Sequence, residues 1–411
     1  MAIIKPFRAI MPIKELVDKI ASLPYDVMNS NEAREMVKDN PYSFLHVDRA
    51  EVDMPLGIDV YSDEVYEKAK SNLENMINKG YYKEDEESSF YVYRQSMGGR
   101  SQVGLVGCAS IDDYNKDIIK KHELTREEKE IDRIKHLNKC KAHTSPIFLT
   151  YRKNEEISSI IKDWILKEPF YDFISEDENH HTVWVISDKE VVKRISELFK
   201  EINYLYIADG HHRTASAAKV SQIEREENKS YIGNEEFNYF LSIVYPDSEL
   251  EVLDYNRTIK DLNGLTEKEF LDKVSKKFII YKRNEEVKPN KKHNFGMYLN
   301  KQWYLLEAKE GIFNPQNPVE QLDVSILQNN LLSPILNIED PRTSKRIRFI
   351  GGIRGLKELE RRADIDMKVS FSMFPTTIED IMAIADSKMV MPPKSTWFEP
   401  KPRSGLFIHK F

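Results

Sequence analysis

Residues 204–220, YLYIADGHHRTASAAKV, constrain the fold more than any other stretch of this chain. Tyr204, Leu205, Tyr206, Ile207 and Ala208 make an apolar run of strand length, Asp209-Gly210 is a turn signal, and the alanine-rich segment from Thr214 has helix-forming composition. Strand, turn and helix in that order predict a sheet covered by helices. A helix start presents unpaired N–H groups and the positive end of its dipole, so it can hold a phosphate with backbone alone. The bend also gathers Asp209, His211, His212 and Arg213, where a plain solvated connection needs only glycine or asparagine. Ala215, Ser216, Ala217 and Ala218 are small enough to let the helix approach a neighbouring backbone closely.

A chain of 411 residues with 40% hydrophobic content can fill two or three domain cores. Its net charge of −7 argues against a protein whose main work is gripping phosphodiester backbones, so no nucleic-acid partner is expected. No apolar run approaches the ~20 residues of a membrane span. The start, MAIIKPFRAIMPIKE, lacks a signal-peptide pattern, so a cytoplasmic protein with no membrane association is expected. Cys108 and Cys140 suit a reducing compartment and have no metal-ligand spacing.

Along the chain, Asn31 to Lys38 and Asp63 to Lys79 read as helices, capped by Ser30 or Asn31 and by Ser62. Phe90 to Gln95 and Gln102 to Ala109 read as a hairpin turning at Gly98-Gly99, with Arg94 and Gln95 near a ligand or simply at an exposed strand end. Thr125 and Glu128 have capping-box spacing, which places His122 and Glu123 just before a helix. That segment begins like a zinc-protease motif, but Arg126 stands where the second histidine would be, so zinc is rejected. His180-His181 has no third ligand nearby in sequence. Gly351-Gly352 before the helix Leu356 to Arg362 is a tight turn or a second anion pocket. Four prolines in MPPKSTWFEPKPRSGL exclude helix and display Lys394, Ser395, Thr396, Trp397, Lys401 and Arg403.

PYDV at Pro24 to Val27, YVYRQ at Tyr91 to Gln95, KHELT at Lys121 to Thr125, ADGHHR at Ala208 to Arg213 and PPKSTWFEP at Pro392 to Pro400 resemble, nearly end to end, a bacterial and archaeal family defined only as a domain of unknown function. The central part, from KHELT through Pro146-Ile147 to DGHHR, is also similar to the SerK-type free serine kinases of the ParB and sulfiredoxin-like nucleotide-binding fold. The resemblance implies an α/β (α+β) protein with a ParB/sulfiredoxin-like core at 111–260, an insertion near 148–203, and large α/β regions at 1–110 and 261–411. It implies a catalytic role for Glu123 and phosphate handling by the DGHHR box.

The expected activity is therefore that of a phosphotransferase, moving a phosphoryl group from ATP or ADP to the hydroxyl of free L-serine with Mg2+. Phosphoryl transfer needs phosphates fixed, charge offset and a base at the attacking hydroxyl. The backbone of Gly210 to Thr214, with Arg213 as a clamp, would hold the phosphates, and Asp209 would hold the magnesium. Glu123 would take the serine proton, with His122, His211 or His212 assisting. Arg94, Lys394 and Arg403 are the candidates for the substrate carboxylate. A homodimer is compatible with this reading. A nucleotide-binding regulator, or a ParB-like switch without kinase activity, is the alternative.

Overall fold

The computed structural model describes residues 1–411 as two compact units, 1–250 with 400–411, and 251–399. Both are mixed α/β, as expected. No helix is long and apolar enough to cross a membrane.

The first unit is built on a nine-stranded mixed sheet. Its strands run in the order Ile119–Lys120, Leu205–Asp209, Ile147–Tyr151, Tyr239–Pro246, Arg100–Ser110, Phe90–Met97, His180–Ile186 and Tyr171–Ile174, with Ile4–Lys5 beside Arg100–Ser110. The central strands are apolar because both faces are covered: Phe240, Leu241, Ile243 and Val244 are all fully buried. The hairpin of residues 90–110 forms at the predicted glycines, with Gly98 and Gly99 both at positive φ.

This sheet explains why residue 110 is not a division. The strand ending there pairs with Phe90–Met97 on one side and Tyr239–Pro246 on the other, so residues 1–110 and the core share one hydrophobic interior. The 148–203 segment extends the same sheet, since His180–Ile186 pairs with Phe90–Met97.

The second unit holds a six-stranded antiparallel sheet, ordered Phe278–Arg283, Gln302–Ala308, Asn294–Leu299, Val369–Met373, Tyr255–Ile259 and Ile347–Gly351. Its glycine turn is a structural one. A Cβ on Gly352 would lie 2.2 Å from the Asp254 carboxylate, so a negative group already fills the place an anion would take.

Residues 400–411 lie along the first unit. Gln95, expected at a strand end, is fully buried and donates to the Lys401 carbonyl (2.9 Å), while Gln102 donates to the Pro400 carbonyl (3.0 Å). Ser404 bridges to Ser22, Ile408 to Ile10, and His409–Lys410 pairs with Ala142–His143. Arg403 sits in a buried polar cluster, donating to Ser175 Oγ (3.0 Å) and His181 Nε2 (3.2 Å) and pairing with Asp177. His181 Nδ1 faces the Tyr93 hydroxyl at 2.8 Å, so both of its nitrogens serve this cluster.

Candidate active site

The strand Leu205–Asp209 ends at Gly210, whose φ of +97° suits glycine, and the helix His211–Glu227 starts at once. No side chain caps that helix. Its first N–H groups therefore have no intrahelical or side-chain cap, the arrangement that favours an anion. The small residues bring the helix close to the helix Glu127–Cys140, as Ser216 Oγ donates to the Glu130 carbonyl at 3.2 Å.

The segment before that second helix wraps the histidine pair, so the two motifs meet as expected. His211 Nε2 accepts the His122 N–H (3.4 Å), and His212 Nε2 accepts the Arg126 N–H (3.0 Å). Each bond leaves the proton of a neutral imidazole on Nδ1. His211 Nδ1 then faces Glu123 Oε2 at 3.8 Å, with the Glu123 side chain 45% exposed. Burial, then the neighbouring His122 ring, holds the His211 imidazole well below its usual pKa. Burial and then Arg126 lower His212 as well. Both rings are thus neutral donors at pH 7 and add no positive charge.

His122 is a support beneath the site. It is 1% exposed, its ring meets His211 edge to face at 4.5 Å, and neither ring nitrogen has a hydrogen-bond partner. Burial pushes its pKa down to about 4. Thr214 also leaves the phosphate set: it is fully buried and its hydroxyl donates back to the Gly210 carbonyl at 3.0 Å. The Thr125–Glu128 capping box does not form, because the helix starts one residue later than that spacing needs and Thr125 bonds Glu130 instead.

Arg213 is fixed in three directions, to Ser145 Oγ (2.8 Å), the Pro146 carbonyl (2.6 Å) and Asp209 Oδ2 (3.0 Å). The other Asp209 oxygen takes Lys401 Nζ at 2.9 Å. Burial opposes the Asp209 charge, but Lys401 and Arg213 outweigh it and hold the carboxyl well below the usual range. Magnesium does not fit this residue as arranged, since both carboxylate oxygens already hold cations. Nor is there a cluster of three His, Cys, Asp or Glu able to hold a metal. Asp209 is an anchor for two cations.

Lys401 is the site residue that the motif reading left out. Its signal was present in the proline-rich segment, but 192 residues separate it from Asp209. The candidates for a substrate carboxylate go elsewhere. Arg94 bonds Thr182 Oγ1 (3.2 Å) and lies over the Trp184 ring (4.9 Å). Arg403 is 3% exposed within the cluster described above. Lys394 belongs to the second unit, where its ammonium lies 5.6 Å from the centre of the Tyr255 ring.

No curated protein matches the chain in sequence. Among solved structures, a free serine kinase in complex with AMP aligns over 72% of this chain and 90% of its own, with 14% identity and a TM-score of 0.34. A conserved hypothetical protein from Pyrococcus furiosus aligns over 72% and 91%, with 14% identity and a TM-score of 0.33. C-terminally truncated SbnI from Staphylococcus aureus aligns over 73% and 85%, with 9% identity and a TM-score of 0.37. The profile of DUF1015, a family of proteins of unknown function, matches residues 4–325, and the chain belongs to that family.

Proposed function

We propose that this protein is a small-molecule kinase that phosphorylates the hydroxyl of free L-serine at the expense of ATP or ADP. One observation carries the reading: a half-exposed carboxylate, Glu123, stands beside His211 at the first turn of an uncapped helix whose bend also holds two cations. A base and an anion cradle in one place are what phosphoryl transfer asks of a protein.

In this reading the terminal phosphates lie on the N–H groups of His211 to Arg213, with Lys401 and Arg213 held beside them by Asp209. Glu123 takes the hydroxyl proton as the serine oxygen bonds to the terminal phosphorus. The bond from that phosphorus to the bridging oxygen breaks, and ADP or AMP leaves with the electron pair. His211 positions Glu123 through its Nδ1–H, a contact that would shorten from 3.8 Å on substrate binding. Magnesium enters as the counter-ion of the nucleotide, not as a ligand of Asp209.

The test is incubation with magnesium, ATP or ADP, and L-serine, with O-phosphoserine followed by mass spectrometry. Glu123→Gln keeps the shape and removes the base, so turnover should fall about 10²- to 10⁴-fold while nucleotide affinity stays unchanged. Undiminished turnover in that variant would remove Glu123 from its role.

A further inference from the structure

Beside Arg213 the first unit lines a cavity of about 40 Å³. Tyr25, Asp48, Arg133, His136, Thr144 and Arg213 contribute to its wall. At ~10–15 Å³ for each water-sized centre, the space takes a handful of non-hydrogen atoms and excludes a nucleotide. Tyr25 comes from PYDV, a motif to which the phosphate-handling chemistry assigns no task.

The charges around this cavity are arranged in an unequal way. Arg133 lies over the Tyr25 ring, its Cζ 3.9 Å from the ring centre, and donates to Asp132 Oδ2 at 3.0 Å. Asp132 also accepts the Tyr66 hydroxyl at 2.9 Å, so that acid is fully engaged. Arg213 answers Asp209. Asp48 has no cation bonded to it. It is 3% exposed, its Oδ1 accepts from Thr144 Oγ1 at 2.8 Å, and its Oδ2 has no hydrogen-bond partner. His136 does not fill the gap. Its Nε2 donates to the Val47 carbonyl at 3.1 Å and stands 4.0 Å from Asp48, while burial and then Arg133 lower its pKa, so the ring is neutral.

A buried carboxylate with an unused oxygen is costly unless something donates to it. A wall carrying that carboxylate together with two guanidinium groups matches a ligand with a positive and a negative end. A phosphate would be repelled by Asp48, and a simple amine would leave Arg213 Nε, a buried donor with no hydrogen-bond partner, unanswered. The apolar lining is short, from Leu137, Ala142 and Ile147, so there is no room for a large side chain.

We infer that this cavity binds a small α-amino acid, with its ammonium on Asp48 and its carboxylate between Arg133 and Arg213. Arg213 then serves two pockets, its Nη2 fixed by Asp209 at the phosphate bend and its unpartnered Nε left for the ligand carboxylate. The assignment of the ligand as the phosphoryl acceptor rests on the kinase reading; the binding itself does not.

The experiment is calorimetric titration of the full chain with L-serine, glycine and L-threonine, and with two truncated probes, ethanolamine and glycolate. L-serine should bind, and ethanolamine, which lacks the carboxylate, and glycolate, which lacks the ammonium, should each bind about 10- to 100-fold more weakly. Asp48→Asn keeps the Thr144 bond and should weaken L-serine by a similar factor while leaving glycolate unchanged. Wild-type affinity for ADP in that variant shows that the unit is folded. Should it misfold, hydrogen exchange on the wild-type chain gives the same answer, since L-serine should slow exchange in residues 45–48 and 127–147. Binding without transfer would keep the pocket and overturn the kinase reading. Transfer with an unchanged serine KM in Asp48→Asn would keep the kinase and overturn the pocket. No binding of any amino acid at millimolar concentration, with no protection in the exchange experiment, would also overturn it.

Discussion

Gly210→Ala tests the bend on which the proposed phosphate site depends. The backbone there has φ +97° and ψ 29°, a region that costs an L-residue about 1–2 kcal/mol. Alanine recovers about 0.4–1 kcal/mol of that by restricting the unfolded chain. The larger effect is contact. An added Cβ would lie 3.1 Å from Arg213 Nη2 and 3.2 Å from its Cζ and Nε. The guanidinium has to give way by a few tenths of an ångström, yet it is held by Ser145, the Pro146 carbonyl and Asp209. Losing one such charge-assisted bond costs about 1.5–3 kcal/mol. The variant should therefore be destabilised by roughly 2–4 kcal/mol.

For a unit of this size each kcal/mol moves the melting transition by about 2–4 °C. Thermal unfolding should show that shift, and ADP titration should show an affinity about tenfold weaker because Arg213 is displaced. Gly80→Ala separates the two causes. Gly80 has φ +75° with nothing within 4 Å of its added Cβ, so it carries the backbone strain without the contact. If Gly210→Ala and Gly80→Ala melted alike and ADP bound both as it binds wild type, the close approach of Arg213 to the bend would be refuted.

His122 and Lys401 give two further tests. A histidine whose folded pKa is lowered to about 4 from 6.5 stays neutral while the unfolded chain takes a proton, so stability falls as pH drops through 6.5 toward 4. By pH 4.5 that loss is about 2.5 kcal/mol, and His122→Phe should lack it in urea unfolding at pH 7 and 4.5; equal losses in both proteins would contradict a buried neutral ring. Lys401→Met removes one of the two partners of Asp209, whose lowered pKa contributes stability above about pH 4 and loses it as pH falls further. The variant should be less stable at pH 7 by about 2–3 kcal/mol, the gap should narrow below pH 4, and ADP should bind more weakly. A variant with wild-type stability and affinity would show that the ion pair is idle.

Local patterns were legible in the sequence and distant pairings were not. The strand and helix around DGHHR and the 90–110 hairpin follow from short-range signals, apolar period and turn glycines, whereas the meeting of His122-Glu123 with His211, 89 residues on, was implied only by the family resemblance. Cap chemistry was misread by one or two residues. Asn29, not Ser30 or Asn31, caps the helix Ser30–Val37, because its side chain reaches the N–H groups of Asn31 and Glu32. The roles of Arg94, Arg403 and Gln95 could not be read locally. A polar residue on a strand looks the same whether it meets a ligand or, like Gln95, holds a segment more than 300 residues away. The Lys401 ion pair and the Asp48 cavity are hidden for the same reason.

Under the proposed function, the charge balance at the bend decides what a nucleotide must bring. Asp209 and Glu123 carry one negative charge each, Arg213 and Lys401 one positive charge each, and the three histidines nearby are held neutral by burial. These four side chains sum to no net charge, so they orient phosphates more than they neutralise them. Positive potential is added by the helix start, worth about half a charge, and by Lys121 and Arg126 beside the histidines. A di- or triphosphate placed there keeps most of its own charge, and a hydroxyl attacking it would meet that repulsion unless the nucleotide arrived with a divalent cation. Magnesium dependence in this site is thus expected to follow the metal affinity of the nucleotide, and replacing Asp209 by Asn should disturb Arg213 and Lys401 without changing the magnesium concentration at half-maximal activity. A large increase in that concentration for Asp209→Asn would return the metal to Asp209 and undo the assignment of that acid as an anchor.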